Sequence, residues 1–205
     1  MTELVLGDDG VSRCSWGAST PDYASYHDDE WGRTTIDDRT LFEKLCLEGF
    51  QSGLSWLTIL RKREDFRRVF ADFDAEEVAA YGPADVERLL GDASIVRHRG
   101  KIEATINNAN CMLDLWADDQ TLAGLIWSFE PEEGPAPSKL GDVAATTAES
   151  IALSKALKKR GFKFVGPTTA YAAMQAMGVV NDHLEGCSSR KPCQKRRDKL
   201  VRPTA

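Results

Sequence analysis

The sequence has no apolar run long enough to span a bilayer as a helix, which excludes a helical membrane protein. Met1 to Gly10 contains acids and no basic residue, so the start does not read as a secretory signal, and the expected compartment is the cytoplasm. Basic charge is not in excess. Lys and Arg number 26 against 32 Asp and Glu, and the net charge of -6 argues against a general polyanion binder. The 5 cysteines are an odd number, which speaks against a disulfide framework and turns attention to metal or catalytic use. No period-2 alternation and no internal repeat is present, so neither a sheet protein nor a solenoid is expected.

What is present is helical punctuation in a chain of 205 residues, 42% hydrophobic and 28% charged. Thr40 with Glu43 fits a capping box ahead of the apolar stripe Leu41, Phe42, Leu45 and Cys46. Phe66, Val69, Phe70 and Phe73 follow helical spacing. Asp74 with Glu77 caps a short helix, and Pro83 opens another that stops at Gly91. Ile102, Ile106, Ala109 and Leu113 mark a further helix. Glu130 to Gly141 reads as loop, Thr146 with Glu149 opens a helix ending at Gly161, and a last one is expected from about Thr168 to Met177. The class is all-α. One domain of two helical lobes is expected over residues 12–189, with flexible termini at 1–11 and 190–205. Two basic clusters stand out, Lys155 to Lys163 and Arg190 to Arg202. The second is read as a solvated tail.

Four constellations carry chemistry. Cys14 and His27 near one end, with His183 and Cys187 spaced H-x3-C near the other, make a two-Cys, two-His set suited to a closed tetrahedral metal site. Buried thiols and ordinary histidines fit the same pattern. Cys193 competes as a ligand, while Cys46 and Cys111 fall on apolar stripes. Glu48 follows Leu45 by three residues and Leu41 by seven, so a continuous helix places a carboxylate on an apolar face, where it is costly unless paired. If the helix ends by Gly49, Glu48 is only a polar terminus. Trp16, Tyr23, Tyr26, Trp31 and Trp56 crowd one N-terminal segment, as stacking walls for a flat ligand or as core. Val86 to Ala109 reads as helix, tight turn, helix. Arg99, Gly100 and Lys101 sit at the second helix's N-terminus, a place for a phosphate or an ordinary helix corner.

Taken in order, RCSW at Arg13–Trp16, YASYHDDEWG at Tyr23–Gly32, LEGFQSGLSW at Leu47–Trp56, IVRHRGKIEA at Ile95–Ala104, SKALKKRGFKFVG at Ser154–Gly166 and VNDHLEGC at Val180–Cys187 resemble the DNA-3-methyladenine glycosylase I family of helix-hairpin-helix glycosylases. The likeness runs from about Arg13 to Cys187. It implies a helix-hairpin-helix glycosylase fold with a structural zinc on Cys14, His27, His183 and Cys187 joining the N- and C-terminal segments. It also implies Glu48 in the base pocket and aromatic walls at Tyr26 and Trp56, with Trp16, Tyr23 and Trp31 nearby. Gly53 and Leu54 correspond to the turn that enters the gap left by a flipped nucleotide, and Arg99, Gly100 and Lys101 to the phosphate-binding hairpin. Phe50 departs from the family, which often has a smaller or polar residue there; it either narrows the pocket or repacks behind it.

The implied activity is hydrolysis of the N-glycosidic bond of 3-methyladenine in double-stranded DNA, the first step of base excision repair, by a cytoplasmic, monomeric and monofunctional enzyme with no membrane partner. A metal-dependent hydrolase of small molecules and a non-catalytic lesion sensor are the alternatives. An open metal coordination position would favour the first, and absence of turnover the second.

Overall fold

The computed structural model describes residues 3–204. They form a short hairpin and ten helices. Strands β1 (Leu4–Leu6) and β2 (Ser12–Cys14) pair antiparallel with Leu4 opposite Cys14. The absence of strands expected from the sequence is corrected by this hairpin, whose three-residue strands are too short to show a period-2 pattern.

The helices are α1 (Pro21–Asp29), α2 (Asp38–Gln51), α3 (Trp56–Val69), α4 (Ala75–Ala79), α5 (Pro83–Gly91), α6 (Arg99–Ala117), α7 (Leu122–Trp127), α8 (Ala148–Lys159), α9 (Pro167–Ala176) and α10 (Arg190–Lys199). Caps explain most of their starts. Thr20 accepts from Tyr23 N–H with Pro21 at the first helical position, Ser55 accepts from Thr58 N–H, and Thr147 accepts from Ser150 N–H. α2 starts from Asp37, whose carboxylate accepts from the Thr40 N–H and hydroxyl. The carboxylate so near the helix start displaces the box expected at Thr40.

α2 is the central element, packed against α3, α6, α7 and α9. Its buried residues include Leu41, Phe42, Leu45, Leu47, Glu48 and Phe50. Phe50 packs tilted against Phe66 at 4.5 Å and Phe66 stacks on Phe70 at 6.3 Å, so the aromatic run packs as the core's centre. The helix expected through Phe73 stops at Val69, because Ala71, Asp72 and Phe73 take positive φ and turn the chain into α4.

The tail expected to be flexible contains α10. Cys193 and Arg197, one turn apart, are buried on one face. The Arg197 guanidinium donates to the Gly178 and Val179 carbonyls and pairs with Glu130 at 2.8 Å. A run of basic residues reads as solvent-facing, and these inward partners are not visible in it. The N-terminal segment is likewise tied down, through β1 and through Arg13 bridging Asp9 and Asp28. Among the described residues no helix is long and apolar enough to cross a membrane.

Candidate active site

α2 continues to Gln51, so Glu48 lies within the helix on its buried face, 6% exposed. It lines a cleft of about 400 Å³ that also takes in Trp16, Tyr23, Tyr26, Trp31 and Trp56. The five aromatics and the carboxylate singled out in the sequence therefore meet in one place. Burial pushes the Glu48 carboxyl up to about 8, and the positive charge of Lys44, one turn earlier, pulls the other way.

The aromatics fall into two groups. Tyr26 and Trp56 form a tilted pair with centroids 5.4 Å apart, bringing α1 and the start of α3 together as one wall. The Tyr23 hydroxyl accepts from Leu57 N–H at 3.0 Å, so it occupies an open donor at the start of α3 and fixes Trp56. Trp16 meets Tyr23, His27 and Trp31 edge-on at 5.0–5.6 Å, and Trp31 meets His183 at 4.7 Å. These two tryptophans join the cleft to the Cys/His cluster.

Gln51, Gln175 and Asp182 also line the cleft and were not assigned from sequence. Gln51 was legible in principle, lying three residues after Glu48 on the same helix. Asp182 accepts from the Tyr171 hydroxyl at 2.6 Å and from Gln175 at 2.8 Å, long-range partners that no local pattern signals. Phe50 does not line the cleft. It is 1% exposed and packs behind it, against Phe66.

Beside the cleft, α2 ends in a turn where Gly53 has φ +83 and Leu54 projects 42% exposed. The positive φ suits glycine at Gly53. At the other predicted DNA-facing position, His98 caps α6 by accepting from Lys101 N–H at 3.2 Å. This leaves the Arg99 and Gly100 N–H groups at the helix's open end. Arg99 is half-exposed and paired with Glu87 at 2.6 Å and Glu103 at 3.6 Å. Lys101 differs from expectation. Its ammonium is turned inward and donates to the Phe50 and Ser52 carbonyls at 2.8 and 2.6 Å, so it braces the Gly53–Leu54 turn.

Cys14, His27, His183 and Cys187 are all buried, with one ligand atom from each lying within 4.8 Å of the others. His27 Nδ1 lies 2.8 Å from the Asp28 carboxylate, and His183 Nε2 lies 3.1 Å from the Trp31 carbonyl. Both outer nitrogens thus carry the proton, leaving two lone pairs, His27 Nε2 and His183 Nδ1, facing each other at 3.2 Å. Two acceptors that close need a cation between them. A tetrahedral metal with His and Cys ligands sets N···N at about 3.3 Å and N···S at about 3.6 Å. Cys187 Sγ lies 3.5 Å from each of those nitrogens. The four residues therefore fit one metal ion, with Leu184 N–H donating to Cys14 Sγ at 3.4 Å as outer support. Cys193 stands apart, its Sγ 3.8 Å from the Trp31 carbonyl, and Cys46 and Cys111 are core thiols. Gly17 passes so close to His27 that an added Cβ would lie 2.5 Å from its ring.

A family profile described as Methyladenine glycosylase matches residues 16–191. The chain belongs to the methyladenine glycosylase family. DNA-3-methyladenine glycosylase 1 of Escherichia coli K12 is 50% identical over 180 residues, covering 86% of this chain and 96% of that protein. A crystal structure of 3-methyladenine DNA glycosylase I superposes with a TM-score of 0.83 at 49% identity, covering 86% of this chain and 98% of that one. The Staphylococcus aureus 3-methyladenine DNA glycosylase I, solved to show 3-methyladenine recognition, gives a TM-score of 0.82 at 36% identity over 87% of this chain and 96% of that one. Within this family member, Cys14 lies just before the matched segment and nearly all of α10 beyond it.

Proposed function

We propose that this chain hydrolyses the N-glycosidic bond of 3-methyladenine in double-stranded DNA, as its relatives' names indicate for them, and opens base excision repair at that lesion. The observation that carries the reading is Glu48, a nearly buried carboxylate at the floor of a cleft whose wall is the Tyr26–Trp56 pair.

The alkylated base is cationic in DNA, so its glycosidic bond is weak and no acid is needed to protonate the leaving group. The protein's task is to hold the extruded base and expose the sugar carbon to water. Extrusion costs a few kcal/mol, less for a damaged base. Tyr26 and Trp56 then offer ring faces to the cation, worth about 0.5–2 kcal/mol that neutral adenine does not receive. Glu48 accepts hydrogen bonds from the base edge, and its negative charge favours the cationic base. Water adds its oxygen to the sugar C1′ and releases a proton to solvent, the C1′–N bond breaks, and the electron pair leaves with the base, which departs neutral. No lysine is among the cleft's lining residues, which supports a monofunctional hydrolase without a Schiff-base step.

Leu54, exposed on the turn braced by Lys101, fills the space left by the base. The Arg99 and Gly100 N–H groups at the start of α6 hold a backbone phosphate, in keeping with a helix-hairpin-helix motif over α5 and α6. Cys14, His27, His183 and Cys187 hold a structural zinc whose four protein ligands leave no position for a reacting water. It ties the N-terminal hairpin to the segment before α10.

The test is excision by wild type beside Glu48→Gln, with strand nicking and borohydride trapping monitored. The reading expects base release by wild type, strong loss in the variant, and neither nicking nor trapping. Normal turnover by Glu48→Gln would remove Glu48 from base recognition, and a trapped adduct would end the monofunctional assignment.

A further inference from the structure

Behind the Tyr26–Trp56 wall lies a second cavity, of about 60 Å³. The same two rings form its front, so they separate it from the base cleft. Its back is charged. Arg63 is paired with Glu30 at 2.8 Å and Arg67 with Glu43 at 2.8 Å. Lys44 also lines it, and no hydrogen bond or ion pair of its ammonium is found among the described residues. Trp56 Nε1 and Arg63 Nε are buried without a protein acceptor. The three residues that carry these donors line a space with room for water, while the two carboxylates lining it are engaged by arginines.

Lys44 and Glu48 are one turn apart on α2, hence on the same side of the helix, one behind the aromatic wall and the other in front. Other groups around Glu48 do not supply a free positive charge. Tyr23 and Tyr26 face it from α1. Arg63 of α3 is matched by Glu30. Asp182, from the segment after α9, lines the same cleft with its Oδ2 held by Tyr171 and Gln175.

We propose that Lys44 is a positioning residue for the glycosylase reaction: from the cavity behind the Tyr26–Trp56 wall, its ammonium supplies the counter-charge that lets Glu48 meet the base as a carboxylate. This rests on the reading of Glu48 as the group that recognises the base. The charge balance agrees in direction. Burial raises the Glu48 carboxyl and Lys44 opposes that shift, while burial lowers the Lys44 ammonium and Glu30, then Glu43 and Glu48, oppose it. Before the cationic base enters, Lys44 performs that office alone. Once the base is bound, the substrate's own charge shares it.

The experiment pairs the pH dependence of excision with a carboxyl-carbon NMR titration of Glu48, in wild type, Lys44→Met and Lys44→Arg. In Lys44→Met the Glu48 titration moves up by about one pH unit, the lower end of what a nearby opposite charge supplies. The acid limb of kcat/KM, which reports the free enzyme, moves with it, while kcat at high pH is kept. Lys44→Arg keeps the limb in place. A purely packing role for Lys44 lowers activity at every pH without moving either titration, and an unmoved Glu48 resonance overturns the proposal. If Lys44→Met does not fold, Lys44→Gln replaces it. If the Glu48 titration moves but excision keeps its pH profile, the assigned role of Lys44 in the reaction is overturned. If Glu48→Gln also excises normally, the fault lies with the recognition reading of Glu48.

Discussion

Replacing Glu48 with Gln should make the protein more stable while impairing its function. The carboxyl sits 6% exposed, and burial raises its pKa from 4.5 to about 8. Between those values the folded state binds a proton that the unfolded state has released, so stability falls as pH rises through that window. At about 1.36 kcal/mol per pH unit, the buried acid costs nearly nothing at pH 4.5 and a ceiling of about 4 kcal/mol at pH 7.5. Gln keeps the shape and removes the titration, and the attraction to Lys44 is already contained in the raised value, so the ceiling is net of it. For a chain of this size 1 kcal/mol moves Tm by about 2–4 °C. The variant should therefore melt about 5–10 °C above wild type at pH 7.5 and within about 2 °C of it at pH 5. Scanning calorimetry across pH 5–9 on metal-loaded protein checks this. A gap that does not widen with pH, or a variant less stable than wild type at pH 8, would refute the claim that Glu48 is held at a cost for function.

Four further outcomes follow from the geometry. Cys14→Ser or His183→Ala should lose the bound metal and lower Tm well before they affect the chemical step, measured by metal analysis and melting, because the four-residue set is closed. Lys101→Met should cost about 1–3 kcal/mol by leaving the Phe50 and Ser52 carbonyls without their donor, and should leave the salt dependence of DNA binding unchanged. Arg99→Ala should instead reduce the slope of log K against log salt by about one, because its half-exposed side chain stands at the start of α6 held only by the surface carboxylates of Glu87 and Glu103, which a phosphate displaces. Trp56→Ala should reduce the preference for duplex carrying 3-methyladenine over undamaged duplex by up to about 30-fold, the equivalent of about 2 kcal/mol of cation–π attraction to the base while it is cationic in DNA, read as competition by undamaged duplex.

Much of the fold is written in local signals. Pro21, Pro83 and Pro167 stand at helix starts, Asp74 caps α4, and the spacing of Leu41, Leu45 and Glu48 is that of one buried helical face. α1 carries no legible apolar stripe, because aspartates interrupt it, Asp22 pairing with Arg61 and Asp28 with Arg13. α10 was missed because its buried face consists of one cysteine and one arginine whose partners lie in Gly178, Val179 and Glu130. The meeting of Glu48 with the five aromatics is tertiary, since it depends on α1 and α3 closing over α2. The inward turn of Lys101 and the cavity at Lys44 depend on distances across helices, which no spacing pattern contains.

The central claim is tested most directly by incubating metal-loaded wild-type protein with methylated duplex DNA and resolving the released bases by chromatography. The account predicts release of 3-methyladenine without 7-methylguanine and without strand scission. Folded, metal-loaded protein that binds the methylated duplex and releases no base would contradict it and leave a lesion-binding protein in its place.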